Sequence, residues 1–213
     1  MRIVALADIH GRSSIPAAVI DILSTADLVI IAGDITNFGG YNDACQIIST
    51  IKTYNESIVA VPGNCDRLTV NKFLDDTSVS LHERTKYIDT VMLYGIGGCA
   101  TTPFHTPQEY PDKEIAAMLN RIEYHAKAKW HVLVTHCPPA HTRIDRTFLG
   151  LHVGSNAVRS FIETSGPDLV ICGHIHEARG SDRLINTVCI NPGTFPKHYA
   201  IITLNDTIEY ELY

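Results

Sequence analysis

The stretch IVALADIH (residues 3–10) and the stretch LVIIAGD (residues 28–34) share one outline, an apolar run that ends in an acidic residue. Runs of about five apolar residues are typical of strands that are buried on both faces of a sheet. Between the two stretches, apolar residues at helical spacing from Pro16 to Leu23 predict a short helix. A strand, a helix and a second strand in this order indicate an α/β protein.

The alternation of strand and helix signals continues along the chain. Four more apolar runs bounded by Gly, Pro or Asp predict buried strands: Ile58 to Val61, Val91 to Ile96, His131 to Thr135 and Leu169 to Cys172. Helical patterns are marked by Ile47, Ile48 and Ile51, by Ile115, Met118, Leu119 and Ile122, and by Val158, Phe161 and Ile162 after an N-cap at Ser155. The C-terminal segment predicts antiparallel strands at Leu184 to Ile190, Tyr199 to Leu204 and Ile208 to Leu212.

The composition is that of a folded protein. The chain has 213 residues, of which 45% are apolar and 19% charged, so we expect one globular domain over residues 1–213. A formal net charge of −6 argues against a generic nucleic-acid-binding surface. We find no signal-peptide core and no apolar run of membrane-spanning length, and we therefore expect a cytoplasmic protein without membrane contact. A homo-oligomer is compatible with the sequence, although no pattern indicates one.

Polar residues follow five of the predicted strands at the point where each strand ends. The five clusters are Asp8-Ile9-His10, Gly33-Asp34, Gly63-Asn64-Cys65-Asp66, Thr135-His136 and Gly173-His174-Ile175-His176. Because open α/β sheets bind ligands at the carboxyl ends of their strands, these clusters can converge on one crevice. A single Asp or Asn after a strand is more often a helix cap or a turn residue. Two Asp, one Asn and four His together, however, form a suitable ligand set for a binuclear metal site.

The order of these clusters resembles the motifs of the calcineurin-like metallophosphoesterase superfamily, which run D-x-H, G-D, G-N-[HC]-D, H and G-H-x-H. The matching residues span about four fifths of the chain. The segments Thr135 to Pro139, Gly173 to Glu177 and Asn191 to Thr194 are similar to those of small, single-domain, phosphodiesterase-like members. The resemblance implies an αββα sandwich of two mixed β-sheets flanked by helices, whereas the residue pattern alone indicates only an α/β protein.

The resemblance also implies a role for each motif residue. Asp8, His10 and His176 would hold the first metal ion, Asn64, His136 and His174 would hold the second, and Asp34 would bridge the two. Asn64 and His136 are in addition the candidate catalytic residues. Two divalent ions about 3.5–4 Å apart lower the pKa of a bridging water, so a metal-bridging hydroxide can attack phosphorus. Imidazole-rich ligation favours manganese first, and iron, zinc, nickel or cobalt next, over magnesium.

Cys65 bears on the substrate. Family members that act on phosphomonoesters often carry His after the Asn, where it can protonate the leaving group. A thiol is a poorer proton donor to an alkoxide, so we expect a phosphodiesterase that acts on a small phosphate ester. Three alternatives stay open: a proton from His105, His141 or His198, a phosphomonoesterase of the same fold, or a non-catalytic metal-binding scaffold. Two long irregular stretches would decide the substrate, Gly97 to Pro111 and Cys137 to Gly154.

A second enzyme class matches one short segment. His136, Cys137 and Arg143 have the H-C-x5-R spacing of the cysteine-dependent phosphatases, in which a thiolate attacks phosphorus. The catalytic loop of those enzymes offers backbone N–H groups to the phosphate, whereas Pro138 and Pro139 have none to offer. We therefore interpret this match as accidental.

Overall fold

Two mixed β-sheets pack face to face, and helices cover the outer face of each sheet. The computed structural model describes residues 1–123 and 127–213. The strands are Arg2–Leu6 (β1), Leu28–Ala32 (β2), Ile58–Val61 (β3), Arg84–Ile88 (β4), Val91–Ile96 (β5), Cys99–Ala100 (β6), Glu109–Tyr110 (β7), Trp130–Thr135 (β8), Leu169–Ile171 (β9), Gly180–Leu184 (β10), Thr187–Asn191 (β11), Ala200–Leu204 (β12) and Ile208–Leu212 (β13). The α-helices are Ala17–Ser24 (α1), Tyr41–Lys52 (α2), Leu68–Asp76 (α3), Asp112–Asn120 (α4) and Asn156–Ser165 (α5), and 3₁₀ helices occupy Arg143–Asp145 and His176–Ala178.

Each sheet combines a parallel centre with antiparallel strands. The five-stranded sheet has the order β13-β12-β1-β2-β3, in which β1, β2 and β3 are parallel and β12 runs antiparallel to both of its neighbours. The six-stranded sheet has the order β10-β11-β9-β8-β5-β4, in which the four inner strands are parallel and both edge strands are antiparallel. The αββα sandwich that the resemblance implies is therefore confirmed.

The central strands are buried on both faces. In β1, Ile3 faces the second sheet while its neighbour Val4 packs under the helices. In β8, Val132 faces the first sheet while Leu133 packs under the helices of the other side. Because both faces of these strands meet apolar neighbours, their sequences are continuous apolar runs rather than alternating patterns. This explains why the apolar runs in the sequence coincide with the central strands.

The helices divide into two outer layers. Helices α1, α2 and α3 pack on the five-stranded sheet, and α4 and α5 pack on the six-stranded sheet. Helix α2 buries Ile47, Ile48 and Ile51 on one face, as predicted. Helix α4 ends at Asn120, so Ile122 lies beyond it and packs against the core from the following turn. Across the two described ranges, none of the helices is both long and apolar enough to span a bilayer.

The predicted strand from Leu184 to Ile190 is wrong, because a turn divides it. Strand β10 ends at Leu184 and β11 begins at Thr187, and these two residues pair across a two-residue connection. Ile185 lies in this connection with a φ of +56° and is 68% exposed. A branched apolar residue is rare at such a φ. The apolar Ile185 therefore makes this turn look like part of a strand, and Asn186 is the one turn-forming residue in the connection.

Ser155 fixes the first turn of α5 and joins this helix to α4. Its Oγ accepts a hydrogen bond from Val158 N at 3.2 Å and donates one to Asp112 Oδ1 at 2.6 Å. We expect Ser155→Ala to destabilise the protein by about 1 kcal/mol, because it removes an N-cap together with the inter-helix bond. Urea unfolding followed by circular dichroism measures this. Ser160→Ala, at an exposed position of α5, is the matched control, and equal unfolding midpoints for the two variants would contradict the assignment.

Candidate metal centre

The polar clusters meet at one edge of the sandwich, where strands of both sheets end. The parallel arrangement inside each sheet puts the carboxyl ends of neighbouring strands side by side. The first sheet contributes Asp8 and His10 after β1, Asp34 after β2 and Asn64 after β3, and the second sheet contributes His136 after β8 and His174 and His176 after β9. The structure thus brings together all seven residues that the sequence predicts as metal ligands.

Asp8, His10 and His176 form one group. His10 Nε2 lies 3.1 Å from His176 Nε2, and His176 Nε2 lies 3.5 Å from Asp8 Oδ1. The ligand atoms of the three residues all lie within 4.8 Å of one another, a spacing that one metal ion can span. The side chain of His176 is 46% exposed, so the centre opens to solvent on this side.

A second group surrounds His136, and its geometry tests whether a cation fits. His136 Nδ1 lies 2.9 Å from the carbonyl oxygen of Ala32, which can only accept, so a neutral ring holds its proton on Nδ1 and offers the lone pair of Nε2. Nε2 lies 2.8 Å from Asn64 Oδ1. The amide of Asn64 is held in this orientation because its Nδ2 donates to Thr106 Oγ1 at 3.0 Å. With a neutral ring, Nε2 and Oδ1 are both acceptors, and a cation bound by the two atoms would satisfy both.

Asp34 lies between the two groups. Its Oδ2 is 3.6 Å from His10 Nε2, and its Oδ1 is 3.5 Å from His136 Nε2. Oδ1 also accepts a hydrogen bond from Cys65 N at 2.8 Å, which fixes the carboxylate. One oxygen toward each group is the arrangement that a bridging carboxylate needs.

The pKa values of two candidate ligands suit metal ligation, whereas the hydrogen bond to Asp8 raises the pKa of a third, His176. Burial lowers the pKa of His174 to about 4, and the neighbouring His136 adds to this effect, so the ring of His174 is neutral at pH 7. Burial of Asp8 raises its pKa, but the hydrogen bond from His176 and nearby imidazoles outweigh burial, so the pKa lies below its ordinary value. Metal ligands must be neutral imidazoles and ionised carboxylates. These two residues are therefore in the required protonation states.

The backbone around the centre is strained. Four of the seven candidate ligands have a positive φ: Asp8 at +53°, His10 at +48°, Asp34 at +47° and His174 at +70°. Residues in this conformation cluster at functional sites, since the surrounding structure must hold them there. Gly33 and Gly63 allow the side chains of His136 and Asp34, respectively, to lie close to the backbone. A Cβ on Gly33 would lie 2.3 Å from His136 Nδ1, and a Cβ on Gly63 would lie 2.0 Å from Asp34 Oδ1.

Asp66 is a supporting residue that lies outside the predicted ligand set. It is fully buried and accepts hydrogen bonds from the backbone N–H groups of Ile35 at 3.1 Å, Thr36 at 2.7 Å and Gly63 at 2.8 Å. It thereby ties the loop that carries Asp34 to the loop that carries Asn64. The last position of the G-N-[HC]-D motif is the sequence signal that marks it.

The irregular stretch Gly97 to Pro111 is ordered around Glu109. The carboxylate of Glu109 accepts hydrogen bonds from the backbone N–H groups of Thr102 at 2.8 Å and Thr106 at 2.7 Å, and from both hydroxyls. Burial raises the pKa of Glu109, but these hydrogen bonds outweigh it and hold the pKa at about 2. Because Thr106 also holds the amide of Asn64, this loop orients a candidate ligand. No local pattern in the sequence signals that contact.

Cys65 lies beside the centre. Its Sγ, together with ligand atoms of His10 and Asp34, forms a third group whose atoms lie within 4.8 Å of one another. Of the alternative proton donors, His105 and His141 are exposed on the two long loops, and His198 Nδ1 lies 3.2 Å from the carbonyl oxygen of Tyr213. His105 directly precedes Thr106, which contacts Asn64.

Cys137 is not suited to act as a nucleophile. It is only 1% exposed, and burial raises the pKa of its thiol to about 12. Nucleophilic cysteines need a thiolate at neutral pH and access to the substrate. The backbone N–H of Arg143 donates to Asp182 Oδ2 at 2.8 Å, so that segment is occupied by a structural contact. These observations agree with an accidental match to the cysteine-dependent phosphatases.

Comparison with known proteins identifies the family. Residues 1–178 match the calcineurin-like phosphoesterase family, and the chain belongs to this family. It is 36% identical over 205 residues to the uncharacterized protein MJ1162 of Methanocaldococcus jannaschii, covering 94% of this chain and 91% of that protein. The family is one of metal-dependent phosphoesterases, so the chain is a hydrolase with candidate metal-binding residues in the expected motifs.

Solved structures share the fold at low sequence identity. The protein TT1561 of Thermus thermophilus superposes with a TM-score of 0.69 at 15% identity, covering 99% of this chain and 97% of that one. A 5'-nucleotidase from Candida albicans gives a TM-score of 0.65 at 13% identity, covering 99% of this chain and 50% of that one. These likenesses extend through residues 179–213, beyond the family match.

Thr106 allows a test of the second ligand group. We expect Thr106→Val to weaken metal binding by about tenfold, because outer-shell partners of ligands have effects of this size and Asn64 Nδ2 would lose its acceptor. Isothermal titration with Mn²⁺ measures the change. Thr102→Val is the matched control, since Thr102 donates to the same Glu109 without contacting Asn64. Equal affinities of the two variants would show that Thr106 acts only through the loop.

Proposed function

We propose that the chain is a phosphodiesterase that uses two divalent metal ions, manganese first among them, to hydrolyse a small phosphate ester. One observation carries the proposal. Acceptor groups from five motifs face one another at the shared edge of the two sheets, with His136 Nε2 only 2.8 Å from Asn64 Oδ1. A site that gathers lone pairs in this way binds cations. The assigned ligands are Asp8, His10 and His176, then Asn64, His136 and His174, with Asp34 common to both ions.

The charges of the ligand set explain how an acidic protein would attract a phosphate. Two divalent ions bring four positive charges, the carboxylates of Asp8 and Asp34 remove two, and the Asn and His ligands are neutral. The site keeps a net positive charge although the whole chain has a formal charge of −6. When bound, the ions supply an activated water and stabilise charge on the phosphate oxygens. No side-chain nucleophile is required, in agreement with the buried Cys137.

The residues of the chain then orient the reaction. Asn64 and His136 are the catalytic candidates, because they converge at the end of the centre next to Cys65. The N–H of Cys65 secures the carboxylate of Asp34, while its thiol lies where many family members carry an imidazole. A thiol protonates an alkoxide poorly, which favours esters whose leaving groups need little protonation. This favours a diester over a monoester substrate. The cytoplasmic location and the possible homo-oligomer stay predictions.

Hydrolysis by protein stripped of metal is the central experiment. The two substrates are bis-p-nitrophenyl phosphate, a diester, and p-nitrophenyl phosphate, a monoester. We expect chelation to abolish turnover and added Mn²⁺ to restore it, with the diester hydrolysed faster, because the ions supply the activated water. Asp34→Ala should regain neither activity nor a full content of metal, measured by elemental analysis, since it removes the common ligand.

Asp76→Ala is the matched control, because Asp76 is a surface carboxylate that pairs with Lys72 at 2.7 Å. It should bind metal as the natural chain does. Two bound metal ions in Asp34→Ala would refute the bridging role. A natural chain that binds metal but hydrolyses neither ester would support the alternative of a non-catalytic scaffold.

Cys65→His tests the choice between diester and monoester. We expect this variant to raise the ratio of monoesterase to diesterase activity by about tenfold or more, because an imidazole can act as the general acid that the natural site lacks. Steady-state rates on the same two esters give the ratio. Cys45→His, in helix α2, controls for an added histidine. A ratio that stays unchanged would mean that position 65 does not meet the leaving group.

A further inference from the structure

Two histidines outside the candidate ligand set lie side by side in the second irregular stretch. The ring centroids of His141 and His152 are 5.4 Å apart, and the angle between the ring planes is 59°. Both residues are exposed. Within residues 1–123 and 127–213, neither ring nitrogen of His141 has a hydrogen-bond partner, and Nε2 of His152 has none. Three ring nitrogens are therefore open to an outside ligand.

The candidate metal centre contains two histidine pairs with a similar arrangement. The ring centroids of His10 and His176 are 5.0 Å apart at an angle of 74°, and those of His136 and His174 are 5.0 Å apart at 66°. Each of these pairs belongs to one of the two ligand groups. The pair at positions 141 and 152 thus has a spacing and a tilt close to those of histidines that are candidate ligands of one ion.

One buried carboxylate holds both members of the exposed pair. Asp145 Oδ1 accepts a hydrogen bond from His152 Nδ1 at 2.7 Å, and Oδ2 accepts one from the backbone N–H of His141 at 3.0 Å. Burial of Asp145 raises its pKa, but the hydrogen bonds from His152 and from three backbone N–H groups outweigh burial, so the pKa lies below its ordinary value. The carboxylate is therefore ionised at neutral pH. A neutral ring of His152 then holds its proton on Nδ1 and offers the lone pair of Nε2.

A carboxylate in this position is typical of metal-binding histidines. The ring N–H that does not face the metal is usually donated to a carboxylate or a carbonyl oxygen, which orients the ring. Asp145 meets this condition for His152. The charge of Arg159, which donates to the carbonyl oxygen of His141 at 3.1 Å, is offset because Arg159 pairs with Glu163 at 2.8 Å. The negative charge of Asp145 thus favours a cation at the pair.

We propose that His141 and His152 together bind one transition-metal ion of the class that imidazole prefers, with Zn²⁺ as its representative. Imidazole nitrogens suit zinc, copper, nickel and iron. Because the pair is exposed, water can occupy the remaining coordination positions. The pair shares no residue with the seven candidate ligands, so this site goes beyond the proposed phosphodiesterase function and does not depend on it.

The bound ion would close the segment that lies between its two ligands. This segment contains a turn in which Thr147 N donates to the carbonyl oxygen of Leu151 at 2.9 Å and Gly150 N donates to that of Thr147 at 2.8 Å. A metal ion that joins the two ends of a loop reduces the entropy of the open loop. The ion is therefore expected to hold the turn closed.

Titration of the metal-stripped chain with Zn²⁺ tests the proposal, provided that the chain has no added histidine tag. Isothermal titration gives the number of ions bound per chain. We expect His141→Ala and His152→Ala each to bind one ion fewer than the natural chain, because each variant removes one of two ligands. His105→Ala is the matched control, since His105 is exposed on the other long loop and has a φ of +54°, close to the +58° of His141. It should bind as many ions as the natural chain.

The expected difference of one ion does not depend on how many ions the seven candidate ligands hold. A chain without phosphodiesterase activity would therefore leave this test intact. Hydrogen exchange gives a second readout: Zn²⁺ should slow exchange of the Thr147 and Gly150 amides in the natural chain, and this slowing should be lost in His152→Ala.

Three results would overturn the proposal. Equal numbers of bound ions in the natural chain and in both variants would mean that the pair holds no metal. A loss of one ion from His105→Ala as well would mean that Zn²⁺ binds exposed imidazoles without selection. If light scattering shows that Zn²⁺ dimerises the natural chain but neither variant, the pair is half of a site between two copies, and the assignment within one chain is wrong.

Discussion

The crowding of hydrogen-bond acceptors at one edge of the sandwich is the constraint on which the rest of the structure depends. His136 Nε2 faces Asn64 Oδ1 at 2.8 Å, and Asp34 lies 3.5 Å from the same nitrogen. When the ring of His136 is neutral, lone pairs at such distances repel one another, and the repulsion is stronger in a buried site than in water. The fold must supply the energy that holds them together until a cation converts the repulsion into attraction. Strand ends from two sheets provide that rigidity.

Carboxylates outside the ligand set do much of this holding. Asp66, Glu109 and Asp145 each accept several hydrogen bonds from backbone groups, and each organises one loop beside the centre. The loop of Asp66 joins two motifs, that of Glu109 orients Asn64, and that of Asp145 begins directly after His136. Ionised oxygens that bind backbone N–H groups are stronger acceptors than neutral ones. The loops can therefore stay ordered without a helix or strand of their own.

Whether a feature could be predicted from the sequence depends on how deeply its residues are buried and on how far apart the contacting residues are in the chain. Strands buried on both faces give unbroken apolar runs, so β2, β3 and β5 match their predicted ranges, and the candidate ligands could be named because they follow such strands. The half-exposed strand β4 and the uncapped helix α3 carry no comparable signal, and neither was predicted. The supporting contacts are long-range: Thr106 meets Asn64 across 42 positions of the chain, and Phe148 meets Glu177 across 29. A Thr or a Phe in a loop gives no sequence signal of a distant partner, so these contacts can be identified only in the folded structure.

This division between ligands and loops also bears on selectivity. In the proposed mechanism the metal centre meets the phosphate group, which is the same in every diester, so the centre alone would not distinguish one substrate from another. Discrimination must come from side chains that touch the two ester substituents. Cys65 is one such candidate, because its Sγ lies within 4.8 Å of ligand atoms of both His10 and Asp34. A thiol at this place can respond to the basicity of the departing group. In the proposed mechanism, selectivity therefore depends on residues around the ligands and not on the ligands themselves.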